Sequence, residues 1–271
     1  MNSTRFIIKA VAQAACLIAA ANCTVATAGE AVARQESAGF LEELVVTARK
    51  REESFMDVPQ SLTVVNAGQL EAYDTQQLIE LQYSVPNMYM DQTNSGKRMS
   101  VRGFGNVSIN SHFDQAVGFS VDGLSLQRSS TWELGYFDVE RVEVLRGPQG
   151  SYFGRNTTAG LVNVTTRGAS DEFEGSVSVG YEDETEEQLY KFSVSGPMTD
   201  NLGGRLALQY RDSDGWMEST PSPIWEQQVP QIEETLGRLT LEWAPADNVQ
   251  VTSKTAFTEF EQLGDNVQYI E

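Results

Sequence analysis

Phe173-Glu174-Gly175-Ser176-Val177-Ser178-Val179-Gly180-Tyr181 is the stretch from which the architecture is read. Side chains alternate with period two along an extended chain. Phe173, Gly175, Val177, Val179 and Tyr181 therefore share one face, and Glu174, Ser176, Ser178 and Gly180 the other. The alternation returns downstream. Tyr190, Phe192 and Val194 alternate with Lys191, Ser193 and Ser195, and Leu206, Leu208 and Tyr210 with Arg205, Ala207, Gln209 and Arg211. Leu239, Leu241 and Trp243 alternate with Arg238, Thr240 and Glu242, and Val249, Val251 and Phe257 share a face in the last such segment. Segments of about ten residues with one apolar and one wet face are the pattern of transmembrane barrel strands. Aromatic residues at the segment ends suit an interfacial girdle. Met198-Thr199-Asp200-Asn201 and Pro245-Ala246-Asp247-Asn248 read as tight turns, with a long loop from Asp212 to Ile232 between them. Short turns on one side and long loops on the other follow the barrel rule. A soluble antiparallel sandwich shares the alternation and stands as the alternative.

Upstream, from Asp57 to Gly168, the pattern is mixed α/β. Ser61 to Val65 reads as a strand, and Asn66 with Gln69 three residues on predicts a capped helix start. A second helix is expected from Asp74, with Leu78 and Leu81 on one face, ending before Pro86. Short strands are expected at Met99 to Arg102, Val117 to Val121, Arg141 to Leu145 and Leu161 to Thr165. Polar loops and glycines, among them Gly103, Gly123, Gly147 and Gly154, separate them.

The N-terminus has the three parts of a secretory signal. Arg5 and Lys9 are positive, Ala10 to Ala21 is apolar but too short to span a bilayer, and Ala26-Thr27-Ala28 offers small residues before Gly29. Residues 1–28 are read as this signal and 29–56 as a linker. Within the linker Leu44-Val45-Val46-Thr47 favours extended backbone. It is either the first strand of the domain that follows or a docking segment for a partner.

The 271 residues carry 19 Lys+Arg against 38 Asp+Glu, a formal charge of -19. Such a balance argues against a nucleic-acid binder, which needs basic charge to displace counterions. No window holds the roughly 18 apolar residues of a membrane-spanning helix. With two cysteines, both inside the signal, and one histidine, zinc sites and histidine-based catalysis are poorly supplied.

The order of these parts resembles that of the TonB-dependent outer-membrane receptors. Asp57-Val58-Pro59-Gln60-Ser61, Val85-Pro86-Asn87, Ser100-Val101-Arg102-Gly103-Phe104-Gly105 and Val121-Asp122-Gly123 carry the likeness. Val139-Glu140-Arg141-Val142-Glu143-Val144-Leu145-Arg146-Gly147-Pro148-Gln149-Gly150 is its strongest stretch, continuing through Tyr152-Phe153-Gly154-Arg155-Asn156-Thr157 and Gly160-Leu161-Val162-Asn163-Val164. The resemblance implies an α/β plug domain over residues 57–168 followed by antiparallel transmembrane β-barrel strands over 169–271. The family's barrels have about 22 strands, of which only the first few are readable here. Val267 to Glu271 also lacks the final aromatic residue such barrels carry. An open sheet would leave unpaired backbone in lipid. The chain is therefore expected to be an N-terminal fragment of a larger receptor, or a truncated gene product, unable to transport alone.

The same resemblance implies site residues. Glu43, Leu44, Val45, Val46, Thr47 and Ala48 resemble the TonB box, which would add a strand to a sheet edge of the TonB energy-transducing complex. Arg102 and Arg146 match the plug arginines that the family pairs with barrel-wall glutamates, a plug–barrel lock. Pairing with the domain's own Glu140 or Glu143 is the other reading, since an enclosed Arg needs partners of some kind. The loops Asp91 to Lys97, Phe104 to Ala116 and Gln127 to Trp132 correspond by order to the plug apices. Asn94, Lys97, Asn106, Ser108, His112, Arg128 and Trp132 are the candidate ligand contacts; the bland reading is that loop polars are merely solvated.

Other patterns carry little chemistry. Ser111, His112 and Asp114 are neighbours in sequence, whereas a triad is defined by geometry. Gly103-Phe104-Gly105 lacks the third glycine of a dinucleotide loop. Glu182-Asp183-Glu184 reads as a solvated run. No catalytic centre, metal site or cofactor is expected. The expectation is energy-coupled uptake, in a Gram-negative outer membrane with the plug facing the periplasm, of a scarce bulky nutrient. An iron–siderophore complex is the default, and carbohydrate or cobalamin the alternatives. A passive surface receptor and an inert truncated product are the remaining readings.

Overall fold

The structure, a computed structural model, describes residues 45–47, 53–54, 56, 58, 60–73, 75, 77–93, 96–105, 114–127, 132, 136–218, 228–246 and 248–264. The expected signal lies outside them. Strands β1 (Val45–Val46) and β2 (Glu53–Ser54) pair antiparallel. They are followed by β3 (Leu62–Asn66), helix α1 (Ala67–Ala72), a 3-10 turn at Leu78–Glu80 and the single turn α2 (Leu81–Ser84). Strands β4 (Met88–Thr93), β5 (Gly96–Val101) and β6 (Phe104–Gly105) form a small antiparallel sheet. Next come β7 (Val117–Val121), β8 (Leu124–Ser125), β9 (Val139–Arg146), the one-turn α3 (Gly150–Phe153) and β10 (Gly160–Thr166).

The main sheet of this domain has the order β3-β9-β10-β7-β8, antiparallel except for the β10–β7 pair. Both of its faces are covered, which the alternation of β9 explains. Val142 and Val144 enter the larger core with Leu78, Leu81, Met99, Phe119 and Trp132. Leu145 points to the other face, where it packs with Leu161, Val46 and Val58. Each fully buried aliphatic side chain contributes about 2 kcal/mol, so the short leading strand β1 is held by burial rather than by its few ladder bonds.

The local readings divide. At α1 the capping box is reciprocal: Gln69 N donates to Asn66 Oδ1 (2.9 Å) and Asn66 N to Gln69 Oε1 (3.1 Å). The second helix is shorter than expected. Its first described turn is at Leu78–Glu80, where Gln77 N donates to Glu80 Oε2 (2.9 Å), and Leu78 and Leu81 are buried as expected. Part of the segment read as an apical loop from Asp91 to Lys97 is the β4–β5 hairpin, in register from Met88↔Val101 to Thr93↔Gly96. Met90 and Met99 pair across it and are buried, while the polar residues Asp91-Gln92-Thr93 gave no strand signal.

Beyond Gly168 the chain forms an up-and-down antiparallel meander: β11 (Glu174–Glu182), β12 (Glu187–Thr199), β13 (Leu202–Ser213), β16 (Gln231–Ala246) and β17 (Val249–Leu263). Between β13 and β16 lie the short paired strands β14 (Met217–Glu218) and β15 (Gln228–Val229). The long strands other than β11 have 12 to 16 residues, exceeding the expected ten. The ladder continues through polar stretches such as Gln231–Thr235, paired with Glu259–Leu263, where hydrophobic alternation gives no signal.

Register places the apolar residues in rows across the sheet. Val177, Phe192, Leu208, Gly237 and Phe257 form one row, and Gly175, Val194, Leu206, Leu239 and Thr255 another. The opposite face carries Glu174, Ser195, Arg205, Thr240 and Lys254 in one row and Ser176, Ser193, Ala207, Arg238 and Ala256 in the next. Phe173, Val177, Val179, Leu208, Leu239, Trp243 and Phe257 are all exposed, whereas Arg205, Ala207, Arg238 and Thr240 are buried beneath the α/β domain. A sandwich would bury the apolar face against a second sheet. Here the polar face is covered and the apolar one bare, the arrangement of a barrel wall with its side chains toward lipid. Among the described residues the sheet is open, with β11 and β17 at its edges.

Candidate functional site

The leading segment docks on the α/β domain. Val45 pairs with Ser54 and Val46 with Glu53, and Val46 is fully buried. Thr47 donates from N (2.8 Å) and Oγ1 (3.1 Å) to Glu143 Oε1. The Glu143 carboxylate, without solvent exposure, also accepts from Arg141 Nε (3.1 Å) and Asn163 Nδ2 (3.3 Å), and Asn163 Nδ2 reaches Thr47 Oγ1 (3.1 Å). Buried carboxylates need such donors, and part of this set comes from the leading segment. In this structure Val45–Val46 is thus a strand laid on the domain. Glu43, Leu44 and Ala48 lie outside the described residues.

Arg102 and Arg146 converge, but on each other's acceptor. Arg102 Nη2 (3.0 Å) and Arg146 Nη1 (3.1 Å) both donate to Ser61 Oγ, and Arg146 Nη2 also donates to Thr63 Oγ1. Arg102 adopts φ +55° and the following Gly103 φ +78°, a left-handed pair that turns the guanidinium toward Ser61. Pairing with Glu140 or Glu143 does not occur. Both carboxylates bind Arg141, at 2.5 Å from Nη1 and 3.1 Å from Nε. Among the described residues no carboxylate closes the Arg102–Arg146 pair.

Two of the expected ligand contacts fall elsewhere. Trp132 is fully buried, stacked on Phe119 with centroids 5.4 Å apart, and its Nε1 donates to Leu126 O (3.2 Å). It is a core residue and offers no surface to a ligand, because it lies against Phe119 of β7, where burying an indole outweighs exposing it. Lys97 is buried too, at 8% exposure. Loss of hydration lowers its pKa to about 8, against the opposing pull of Glu234 on β16. It sits at the seam between domain and wall, not on a free apex. Asn94, Asn106, Ser108, His112 and Arg128 lie outside the described residues.

Beside Lys97 is a cavity of about 580 Å³ lined by Gln77 and Glu80 of the α/β domain and by Tyr181, Glu187, Arg211 and Trp216 of the wall. Arg211 Nη2 pairs with Glu187 Oε2 at 2.7 Å. With its amide oxygen turned to the guanidinium, Gln77 accepts from the same nitrogen at 2.9 Å. Mixed charge and an aromatic wall suit a polar, hydrogen-bonding ligand.

A second seam was not anticipated. Arg205 of β13, 4% exposed, grips Asp138 with Nε–Oδ2 at 2.8 Å and Nη2–Oδ1 at 2.7 Å. Its Nη1 reaches Glu174 Oε1 at 3.2 Å. Arg238 of β16 donates to Phe137 O and lies over the Phe137 ring, 5.4 Å from its centroid. Lys254 of β17 donates to Asp122 Oδ1 (3.0 Å), Thr166 O (3.1 Å) and Thr166 Oγ1 (2.8 Å). Beneath these polar links Phe137 packs on Ala207 and Leu236. The alternation had placed Arg205 and Arg238 on the polar face; the partners, far away in sequence, left no local trace.

Among the described residues no group of three or more metal-ligating side chains gathers, and no helix is long and apolar enough to cross a membrane.

Comparison with known proteins now adds to this geometry. Residues 54–161 match the family described as the TonB-dependent Receptor Plug Domain. The pesticin receptor of Yersinia pestis is 30% identical over 212 residues, 75% of this chain and 30% of that protein. The vitamin B12 transporter of Vibrio vulnificus is 28% identical over 178 residues, 64% of this chain and 28% of that protein. The crystal structure of the ferric yersiniabactin uptake receptor of Y. pestis superimposes with a TM-score of 0.67 at 25% identity, covering 73% of this chain and 31% of that one. The pyoverdine outer-membrane receptor of Pseudomonas aeruginosa shares the fold, with a TM-score of 0.66 at 19% identity over 82% of this chain and 31% of that one. The chain thus spans under a third of the length of these relatives.

Proposed function

We propose that this chain, a member of the TonB-dependent receptors by its plug domain and first barrel strands, acts in energy-coupled uptake across the Gram-negative outer membrane. The supporting observation is the meander itself: apolar residues face outward, and a cation-bearing inner face covers one side of the plug. In this reading residues 57–168 are the plug, 169–271 the start of the wall, and the plug faces the periplasm. Outer-membrane lipid contacts the apolar face.

The segment Glu43 to Ala48 is the TonB box. Its β-branched residues favour the extended state that adds a strand to a partner's sheet edge. Work reaches the plug mechanically through that contact. Arg102 and Arg146, closed here by a serine hydroxyl rather than a carboxylate, await glutamates from wall strands outside the described residues. Asn94, Asn106, Ser108, His112 and Arg128 are proposed apical contacts, joined by Arg211, Trp216 and Gln77 around the cavity beside Lys97.

The cargo proposed is an iron–siderophore complex, supported by the likeness to the ferric yersiniabactin receptor. The similarity to the vitamin B12 transporter favours cobalamin as the second reading. Uptake of 55Fe-siderophore against 57Co-cobalamin by cells expressing the full-length receptor separates the two. Val46→Pro, which removes a backbone donor from the box, should abolish uptake and leave ligand binding to the cells intact. Unchanged uptake would instead favour a passive surface receptor.

A further inference from the structure

We infer that the cavity beside Lys97 selects its cargo by charge, accepting a neutral or cationic complex and turning away a polyanionic one. The inference rests on the receptor reading above and deepens it, naming the charge class within the cargoes proposed there.

The charge of the lining follows from the ends of the wall strands. Glu182 and Glu187 pair at the end of the β11–β12 ladder, and both line the cavity together with Glu80 of the plug. Among the described residues Arg211 is the one cation of the lining. Its guanidinium is already engaged, with Nη2 at 2.7 Å from Glu187 Oε2 and donating to the turned Gln77 amide oxygen at 2.9 Å. An entering anion therefore meets Glu80 and Glu182, or must take Arg211 from Glu187 and leave that carboxylate stranded. The cations of the β4–β5 hairpin do not reverse this balance. Lys97 is buried in the field of Glu234, and Arg98 is held by Asp91.

The approach to the cavity has the same sign. Glu182-Asp183-Glu184-Thr185-Glu186-Glu187 joins β11 to β12 at the end of the wall that carries the long β13–β16 connection, and Asp183, Glu184 and Glu186 are exposed there. Asp212↔Glu233↔Glu261 continue the acidic rim across β13, β16 and β17. A lone exposed carboxylate is screened within about 8 Å at physiological ionic strength. Carboxylates gathered around a cleft sum to a field that concentrates solutes of one sign and depletes those of the other. Trp216, largely exposed at the cavity edge, adds a ring face that attracts a cation.

Ferric complexes divide along this line. Each hydroxamate arm gives up one proton and each catecholate arm two, so the tris complexes of iron(III) are neutral and trianionic respectively. A trihydroxamate bearing an ammonium group is cationic.

The test measures uptake of four radiolabelled probes by cells expressing the full-length receptor. They are ferrioxamine B (a cationic trihydroxamate), ferrichrome (a neutral one), ferric enterobactin (a trianionic tris-catecholate) and cyanocobalamin (neutral and free of iron). At least one neutral or cationic probe should enter, with ferric enterobactin at least about tenfold slower. The double variant Asp183→Lys/Glu184→Lys changes two exposed turn residues and leaves the lining intact. On isolated outer membranes at low salt it should bind ferric enterobactin several-fold faster than the natural chain does. That difference should vanish at about 1 M salt, where the Debye length is about 3 Å. Ferric enterobactin entering as fast as the other probes would overturn the inference. So would a discrimination that neither the double variant nor salt alters, because shape would then be the selector. Uptake of none of the four probes would refute the cargo reading under Proposed function, and the inference would fall with it.

Discussion

Arginines at two places in this molecule meet opposite fates. Arg205, on the wall, is closed by the Asp138 carboxylate in two hydrogen bonds and is almost fully buried. Arg102 and Arg146, on the plug, share one serine hydroxyl, and Arg146 Nε is buried without a partner. The difference teaches how far each guanidinium is withdrawn from water, and what acceptors it then requires. A guanidinium withdrawn from water keeps its place only with an anion or several acceptors around it. The first site has these within the chain. The second has hydroxyl acceptors alone among the described residues, and both of its hydrogen bonds to Ser61 lie near solvent.

The sharpest way to break this comparison is truncation at each site. Asp138→Ala leaves Arg205 buried and unpaired and should cost about 3–5 kcal/mol of unfolding free energy in urea. A cost below about 1 kcal/mol would show that the seam is no tighter than a surface ion pair. Lys97 sharpens the comparison from a third position, a plug cation buried against the wall. Its pKa is depressed to about 8 from 10.5, so between those values the unfolded chain binds more protons than the folded one. Stability from this group is therefore lower below pH 8 and rises as pH increases toward 10.5. The difference between Lys97→Met and the natural chain should change across that window by roughly 2–3 kcal/mol; a flat difference would place Lys97 in water.

Glu143→Ala removes the acceptor of Thr47 and should cost about 1–3 kcal/mol. Local proteolysis should report it first, with cleavage near residues 45–47 rising before global unfolding. The smallest effect is expected at Arg102→Ala, which gives up one exposed hydrogen bond to Ser61 and should change stability by no more than about 1 kcal/mol. Loss comparable to that of Asp138→Ala would mean that Arg102 already has its anion.

Much of the fold was legible because its signals are local. The Asn66–Gln69 capping box is made by residues three apart, and the side on which Val177, Leu208 or Leu239 lies follows from strand periodicity alone. The tight turns at Asp200-Asn201 and around Asn248 connect strands where their residue types said they should. Illegible were the features that depend on what folds over what. Trp132 reads as an exposed loop aromatic until Phe119 is placed beneath it. Lys97 reads as a ligand contact until β16 brings Glu234 to its side. The second helix came out shorter than expected, and the β4–β5 hairpin was missed because Asp91-Gln92-Thr93 and Gly96-Lys97 are polar and read as a loop.

By itself the sequence determined which face of each strand is wet, where α1 begins, and that the chain contains a plug followed by wall strands. Those properties are set by period-two geometry, capping chemistry and motifs a few residues long. Only the tertiary structure decided that Val46 is buried against Leu145 and Leu161, that Glu143 holds Thr47, and that Arg205 meets Asp138 across 67 residues of chain. Ion pairing and burial act through space, and a charge on the wet face of a strand carries no mark of the partner that will reach it.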